Sequence, residues 1–362
     1  MKPFFKWSGG KRKELDIIKA YMPKSYDTFY EPFVGGGALW LDLCPDKAVV
    51  NDNYDEVINF YRVLGTQTDA LKSRINDLSR AYGEAMANVI KDPKLEHALN
   101  KVNGSVEALA ELREQTKDFF EAMAAMNGGS NPMALIYNKY RTEQRTLKRE
   151  LNKEIYDIAD EYYYHFRDND FDTPFDQAVR FYILRQLSFS GMLRFGPDGK
   201  FNVPFGWYKT FKGITEEATD IKSLWDNTTF RCMHWKDAVK DAGPDDFVFL
   251  DPPYTRKFKE YHVDGEFNQP EHKELAEWFR TTDCKAMVII NKDDFTSELY
   301  EGYEKEEHDK AYNIRYRKDR MKKEDINAVH LIATNYSLNT KKKSDKIEYQ
   351  SDKQQEEPTC PR

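Results

Sequence analysis

Two strand-and-helix units follow each other near the start of the chain, and they restrict its fold more than any other feature. Residues 28–34, TFYEPFV, are apolar, aromatic and β-branched, as in a strand, and they end at three glycines, 35–37, before the spacing becomes helical. Residues 48–50 form a second short apolar run, which ends at the polar residues 51–53 before another helical stretch. Two such units in succession predict an α/β protein with a parallel, doubly wound sheet.

The composition excludes several classes of protein. The chain has 362 residues, of which 40% are hydrophobic, so it can form one large domain or two unequal ones. No stretch approaches the roughly 18 apolar residues of a membrane span, and the first residues lack the apolar region of a secretory signal. We therefore expect an intracellular protein with no membrane partner, in a bacterial cytoplasm or, for a phage or viral gene, in the host cell.

Cysteine and histidine spacing gives no sign of a metal site. The four cysteines lie far apart without a C-x-x-C pair, and the histidines lack H-E-x-x-H spacing, so we expect no metal. The net charge of −7 argues against a uniformly basic surface. Three basic clusters could still contact phosphates if they faced one groove, namely residues 11–13, 256–259 and 315–323.

The chain divides by composition into three parts. Residues 66–175 are mostly rich in Ala, Glu, Lys, Leu and Arg without a strand-like run, which predicts a helical insertion. Residues 1–65 and 176–338 are expected to form one domain, in which residues 188–212 include a hairpin turning at Pro197-Asp198-Gly199. The tail, 339–362, is polar, almost free of aliphatic residues and expected to be disordered.

The most informative motif follows a buried strand predicted at residues 247–250, whose carboxyl end carries Asp251, Pro252, Pro253 and Tyr254. The two prolines donate no main-chain hydrogen bonds and keep the backbone extended. The Asp251 carboxylate and the Pro252 carbonyl can therefore both accept from one NH₂ group. Tyr254 offers a flat face for a heteroaromatic base.

The glycine turn and the acidic residue after the second strand suit an adenosine-containing ligand. Glycines permit close backbone approach at the carboxyl end of a strand, and Asp52 stands where a carboxylate can accept two ribose hydroxyls. The dinucleotide fingerprint is not matched, because Trp40 occupies the position of its third glycine. Adenosine cofactors other than NAD must therefore be considered.

At this point the sequence resembles the DNA adenine methyltransferases of the Dam type, or D12 class, which use S-adenosylmethionine. The resemblance implies a Rossmann-like methyltransferase fold, with a mixed seven-stranded sheet flanked by helices and an inserted, mainly helical target-recognition domain. It rests on motifs in the family's order: Lys6-Trp7-Ser8-Gly9-Gly10-Lys11, Glu31-Pro32-Phe33-Val34-Gly35-Gly36-Gly37-Ala38, Asn51-Asp52-Asn53, Phe201-Asn202-Val203-Pro204-Phe205-Gly206 with Tyr208, and Asp251-Pro252-Pro253-Tyr254.

The resemblance also implies which residues bind the cofactor. The N-terminal motif lines the pocket, with its tryptophan near the cofactor adenine, and the glycine motif bounds the methionine portion. The acidic residue after the second strand binds the ribose, and the aspartate of the DPPY motif is both a pocket residue and the catalytic acceptor. The residues in these positions are Trp7, Gly9, Gly10, Lys11, Phe33, Gly35, Gly37, Asp52 and Asp251.

For the DNA, the resemblance implies that residues 190–194 lie on a hairpin in the major groove, where Arg194 contacts guanine O6 and N7. It implies a GATC-like target, although Ser190 and Met192 stand where Dam-like enzymes carry Asn and Leu. The other DNA-contacting positions are Lys6, which touches another guanine, Phe189, which wedges against the vacated stack, and Pro204. We expect double-stranded DNA as the substrate, no obligatory protein partner, and a monomer or weak dimer.

We therefore expect the chain to move a methyl group from S-adenosylmethionine directly to the exocyclic amine of a flipped adenine. An aspartate is too weak a base to deprotonate a neutral amine, so the proton leaves after methyl transfer. One alternative is methylation of the cytosine exocyclic amine, whose enzymes more often carry Ser at the position of Asp251. The other is a DNA-binding relative without catalysis. Cytosine carbon methylation is disfavoured, because the sequence has no Pro-Cys dipeptide.

Overall fold

A computed structural model of the chain describes residues 1–90, 159–196, 198–206, 208–215, 221–253, 267–311 and 327–338. The tail expected at 339–362, most of the expected helical insertion, and Tyr254 lie outside these residues. The basic clusters at 256–259 and 315–323 also lie outside them.

Seven strands of the described chain form one sheet in the order β3-β2-β1-β4-β5-β7-β6. The five strands from β3 to β5 in this order run parallel to one another, whereas β7 is antiparallel to both β5 and β6. This confirms the mixed seven-stranded sheet. The strands are β1 (Phe29–Glu31), β2 (Ala48–Asn51), β3 (Thr228–Arg231), β4 (Phe247–Leu250), β5 (Lys285–Asn291), β6 (Glu304–Ala311) and β7 (Asn327–Thr334).

The strand order reverses beside β1. The chain goes from β1 to β2 on one side, and β4 pairs with β1 on the other side. In open α/β sheets, ligands bind outside the carboxyl ends of the strands at such a switch point. The fold therefore points to the residues that follow β1, β2 and β4.

Helices connect these strands, as expected for a doubly wound sheet. They are α1 (Leu15–Ala20), α2 (Ala38–Leu43), α3 (Asp55–Thr66), α4 (Thr68–Ile90), α5 (Pro174–Leu187), α6 (Lys222–Asp226), α7 (Trp235–Ala238), α8 (Gln269–Thr281) and α9 (Asp294–Leu299). A short 3₁₀ turn, Phe189–Gly191, follows α5. No helix in the described part of the chain is long and apolar enough to cross a membrane.

Helix α2 begins directly at the glycine turn, without a capping side chain of its own. Its N-cap, Gly37, has a left-handed conformation with φ of +63°. The buried carboxylate of Glu31, at the end of β1, accepts the Trp40 N–H at 3.1 Å and so takes the capping role. A cap of this kind contributes about 1 kcal/mol, and here it also fixes the turn between strand and helix.

The strands that lead to the DPPY motif form the centre of the core. All four residues of β4 are buried, and β5 is buried along its length apart from its two ends. Leu275, Ala276 and Phe279 of α8 cover one face of these strands. Asp251 therefore follows a strand that is held on both sides and packed on its face.

The chain divides into two compact units. The first holds the sheet and comprises Met1–Ile75, Asn169–Gly206 and Gly213–Arg362, and the second comprises Asn76–Asp168 and Trp207–Lys212. Within the second unit, Ser79 and Tyr82 of α4 donate side-chain hydrogen bonds to the carbonyls of Phe211 and Tyr208, each at 2.6 Å. The domain limits expected at residues 66 and 175 stay a prediction.

Two strands of the sheet have no apolar run in the sequence. Strand β3, with the sequence TTFR, and strand β6, with the sequence EKEEHDKA, occupy the two edges of the sheet. Edge strands pair on one side only and commonly carry charges that prevent association with other chains. Because neither strand is an apolar run, neither matched the pattern of a buried strand.

Candidate active site

Three of the predicted site residues meet at one edge of the sheet. Gly35 follows β1, Asp52 follows β2 and Asp251 follows β4, and these three strands are parallel neighbours. Because the carboxyl ends of parallel strands lie at the same edge, the glycine turn and Asp251 flank the crevice that open α/β sheets form at a switch point.

The glycine turn is shaped by the indole of Trp7. Gly35 has φ of +45°, and a Cβ atom added there would lie 2.2 Å from Trp7 Nε1. A Cβ at Gly36 would also lie close to the same side chain, 2.9 Å from Trp7 Cβ. The Gly35 carbonyl accepts a hydrogen bond from the Tyr61 hydroxyl at 2.9 Å. Only glycine combines this backbone conformation with such close approach.

Asp52 joins the second strand to the same turn. One carboxylate oxygen accepts the Gly35 N–H at 2.9 Å, and the other accepts the Tyr54 N–H at 3.0 Å. Burial raises the pKa of Asp52 to about 6, although these backbone hydrogen bonds act in the opposite direction. The carboxylate therefore changes its charge within the range of pH in which enzymes are assayed.

The N-terminal motif reaches the DPPY motif through Lys11. Its ammonium lies 2.7 Å from each carboxylate oxygen of Asp251 and 2.8 Å from the Gly9 carbonyl. Lys11 is 3% exposed and the Asp251 side chain 20% exposed, so the ion pair is largely shielded from water. A carboxylate has about four lone-pair positions, so Asp251 can accept more than one hydrogen bond.

Glu31 lies near this ion pair and responds to its charges. Its pKa is well above the usual value, first because the carboxyl is buried and then because Asp251 and Asp52 carry negative charge, whereas Lys11 lowers the pKa. Sequence analysis gave Glu31 no role, although it belongs to the EPF motif.

The structure shows the local contacts and burial of the remaining pocket candidates. The Gly10 N–H closes a turn on the Trp7 carbonyl at 3.2 Å, and Gly9 has φ of +76°. Phe33 packs against Trp235 and Phe267, with ring centroids at 6.5 and 5.4 Å. Pro252 is buried and Pro253 partly buried. The roles expected for all of them stay predictions.

The predicted hairpin is present in the part of it that the structure describes. Phe195 and Phe201 form an antiparallel bridge, and the Asn202 N–H donates to the Arg194 carbonyl at 2.9 Å. At the base of the hairpin, the Phe189 N–H donates to the Pro204 carbonyl, also at 2.9 Å. Ser190 and Pro204 are exposed and Met192 is partly buried, as is Phe189.

Arg194 is held by its neighbour across the hairpin. Its Nε donates to Asn202 Oδ1 at 2.7 Å and its Nη2 to the Asn202 carbonyl at 2.9 Å. Both bonds use the same edge of the planar guanidinium. The edge formed by Nη1 and Nη2 has the fork geometry that guanine O6 and N7 require.

The described residues also contain one group of His and carboxylate side chains close enough to share a cation. Glu14 Oε1 lies 2.8 Å from His308 Nε2 and 2.6 Å from His330 Nδ1. Lys310 contacts the other carboxylate oxygen of Glu14, and burial lowers the pKa of its ammonium to about 7. The cluster ties the segment before α1 to β6 and β7 through internal contacts.

Comparison with known proteins identifies the family to which the chain belongs. The model of the D12 class N6 adenine-specific DNA methyltransferases matches residues 7–128 and 130–352. The chain belongs to this family. The match includes the glycine turn, Asp52 and Asp251, which the fold brings to one edge of the sheet.

Several curated proteins are similar over most of their length. The Type II methyltransferase M.CviBI of Paramecium bursaria Chlorella virus NC1A is 30% identical over 93% of this chain and 100% of its own. The Type II methyltransferase M1.LlaDCHI of Lactococcus lactis subsp. cremoris is 28% identical over 84% and 86% of the two chains. The DNA adenine methylase of Haemophilus influenzae is 24% identical over 83% of each.

This membership settles the class of reaction. The protein is a methyltransferase that acts on the N6 position of adenine in DNA, as the sequence analysis predicted. The alternative of cytosine methylation is therefore not retained. The catalytic, cofactor-binding and DNA-contacting roles of individual residues stay proposals.

Proposed function

We propose that this D12 methyltransferase uses S-adenosylmethionine to methylate an adenine that it rotates out of double-stranded DNA. The proposal rests on one observation: the segment from Trp7 to Lys11 contacts both the glycine turn and Asp251. A cofactor bound at the glycine turn, outside β1 and β4, would thus lie close to Asp251, the proposed acceptor of the adenine amine.

The residues at the crevice fit S-adenosylmethionine. Gly35 and Gly37 have positive φ values, which bring backbone rather than side chain to the ligand. Asp52 would accept the ribose hydroxyls, and Trp7 would lie against the adenine. Gly9, Gly10 and Phe33 would form the rest of the pocket wall.

When bound, S-adenosylmethionine supplies an electrophilic methyl group on its sulfonium. The protein must present the adenine amine to it as a nucleophile, although conjugation with the ring withdraws the nitrogen lone pair. Acceptance of both N–H bonds, by the Asp251 carboxylate and the Pro252 carbonyl, favours the tetrahedral amine and fixes its direction. Lys11 would hold Asp251 in position, and Tyr254 would stack on the base. Asp251 then accepts the proton after transfer, when the nitrogen carries positive charge.

The hairpin would supply target recognition. Arg194 would read a guanine in the major groove through the edge of its guanidinium that Asn202 does not use. Lys6 would contact a second guanine, and Phe189 would fill the space left by the rotated base. Ser190, Met192 and Pro204 would contact the DNA around them, on a GATC-like site.

The binding of S-adenosylmethionine is expected to weaken about tenfold between pH 7 and pH 5, because Asp52 has a pKa of about 6 and must be ionised to accept the ribose hydroxyls. Isothermal titration calorimetry across this range measures the effect. The raised pKa favours the folded chain as the pH falls from about 6 towards the ordinary value of about 4, so protonation of Asp52 does not unfold the protein. The Asp52→Asn variant should bind weakly with a flat pH profile, and a wild-type profile without this change would remove Asp52 from the ribose site.

Replacement of Arg194 by alanine is expected to reduce discrimination at one guanine about 10- to 100-fold, which corresponds to about 1–3 kcal/mol. Methylation of a library of duplexes with single base changes measures this preference. Lys200→Ala is the matched control, because Lys200 is exposed on the same hairpin and its loss should weaken binding to all sequences equally. An unchanged preference in Arg194→Ala would rule out this contact.

A further inference from the structure

Arg185 is a buried charged residue that has no role in the proposed reaction. It lies in the last turn of α5, where apolar residues surround it in the sequence, and it is 1% exposed. Buried arginines are rare unless their donors are satisfied, because the desolvation of a guanidinium is costly. Its contacts therefore indicate what it does.

The guanidinium of Arg185 donates to backbone carbonyls from two separate segments. Nη2 lies 2.7 Å and Nε 3.1 Å from the Lys6 carbonyl, while Nη1 lies 3.0 Å from the Met192 carbonyl. Nη2 also donates to the Gly191 carbonyl. Lys6 begins the N-terminal motif, whereas Gly191 and Met192 belong to residues 190–194, the recognition turn, so one side chain joins the two segments.

The two segments also contact each other directly around this side chain. Gly191 has φ of +63°, and a Cβ atom added there would lie 3.1 Å from Lys6 Cβ. The Arg185 guanidinium lies over the Trp7 ring, 5.1 Å from its centroid, which is within the range of a cation–π contact. Arg185 therefore contacts the residue that shapes the glycine turn as well as the recognition turn.

The planar fork of the guanidinium makes this connection rigid. Its donors have fixed directions, so a shift of the recognition turn relative to Lys6 must break at least one hydrogen bond. A carbonyl left unpaired in a buried place destabilises that arrangement. The position of the turn and the position of Trp7 are thus linked through one group.

We propose that Arg185 is a positioning residue that couples DNA recognition to cofactor binding. The inference rests on the proposed function, in which Trp7 lines the cofactor pocket and the turn at Ser190–Arg194 contacts DNA. A coupling between two sites is reciprocal, so a duplex that orders the turn must tighten cofactor binding by the same factor by which the cofactor tightens duplex binding.

The test compares the dissociation constant of S-adenosylhomocysteine with and without a duplex that the wild-type enzyme methylates. The duplex is expected to tighten binding about tenfold in the wild type. In Arg185→Lys, which keeps the charge but loses the planar fork with its fixed donor directions, the ratio is expected to fall to about twofold or less. A purely structural role would weaken both constants without changing their ratio.

Arg180→Lys is the matched control, because Arg180 lies on the same helix and pairs with the Glu56 carboxylate at 2.8 Å. It should keep the wild-type ratio. Gly191→Ala is a second route to the same effect, since its Cβ would push the turn away from Lys6 while Arg185 stays intact. If thermal unfolding experiments show that Arg185→Lys does not fold, the ratio of dissociation constants in Gly191→Ala tests the proposal instead.

The outcomes separate this inference from the proposed function. A wild-type ratio in folded Arg185→Lys, or in Gly191→Ala where that variant decides, would overturn the coupling role. So would a wild-type enzyme that binds both ligands with a ratio of one. A wild-type enzyme that does not bind S-adenosylhomocysteine at all would overturn the proposed cofactor, and the inference with it.

Discussion

Replacement of Asp251 by alanine is expected to reduce methyl transfer about 10³-fold or more, while the chain still binds S-adenosylmethionine. The carboxylate is the acceptor proposed to orient the adenine amine, and the Pro252 carbonyl beside it cannot accept both N–H bonds in its place. Its loss also leaves Lys11, which is 3% exposed, without the partner that lies 2.7 Å away. The measurement is incorporation of labelled methyl groups into duplex DNA, followed by nucleoside analysis.

Asp246→Ala is the matched control for Asp251→Ala. Asp246 precedes β4, at the opposite end of the strand, where its carboxylate accepts the Thr28 N–H at 3.0 Å and the Gly243 N–H at 2.8 Å. Its loss should lower stability by about 1–2 kcal/mol and leave turnover per folded molecule unchanged. Labelled N6-methyladenine at the wild-type rate in Asp251→Ala would contradict the assignment of Asp251 as the acceptor.

Lys11→Met distinguishes the two contributions of the Asp251 site. It keeps the acceptor but removes the ammonium that holds the carboxylate. If Lys11 only orients Asp251, the loss of turnover should be smaller than in Asp251→Ala, and the double variant should resemble Asp251→Ala alone. Residues that act as one unit give such non-additive effects.

The central strands of the sheet could be predicted because they are buried on both faces. A parallel strand covered by helices is a continuous apolar run, and β4 and β5 have that pattern. The glycines after β1 and the prolines after β4 mark where these strands end, since both residue types interrupt regular structure in characteristic ways. The sequence therefore predicts these central strands, and it also predicts the edge of the sheet at which Gly35, Asp52 and Asp251 lie.

The contacts that organise the site could not be predicted from local sequence. Lys11 and Asp251 are separated by 240 positions, and no periodicity relates them. Arg185 interrupts an apolar helix in RFYILRQL, which signals a buried or functional charge, but its acceptors are backbone carbonyls that carry no sequence signature. Contacts to carbonyls depend on the path of the backbone, which only the folded chain defines.

Substitution of Gly35 by alanine is expected to lower the free energy of unfolding by about 2–4 kcal/mol and to weaken cofactor binding more than 100-fold. The backbone has φ of +45°, and the new Cβ would lie 2.2 Å from the indole nitrogen of Trp7. The indole would have to move, and with it the segment that holds Lys11 against Asp251. Urea unfolding and calorimetry measure the two effects separately.

Two comparisons separate the steric effect at Gly35 from the backbone effect. Gly302 has φ of +83° and nothing within 4 Å of an added Cβ, so Gly302→Ala should cost only the backbone term, about 1–2 kcal/mol. In a Trp7→Ala background the contact with the indole is absent, so Gly35→Ala should then cost about as much as Gly302→Ala. An equal cost of Gly35→Ala in both backgrounds would show that the indole does not set the shape of the turn, because two residues in contact must give a coupling energy in a double-mutant cycle. The expected coupling would instead tie the glycine turn and the N-terminal motif into one pocket wall.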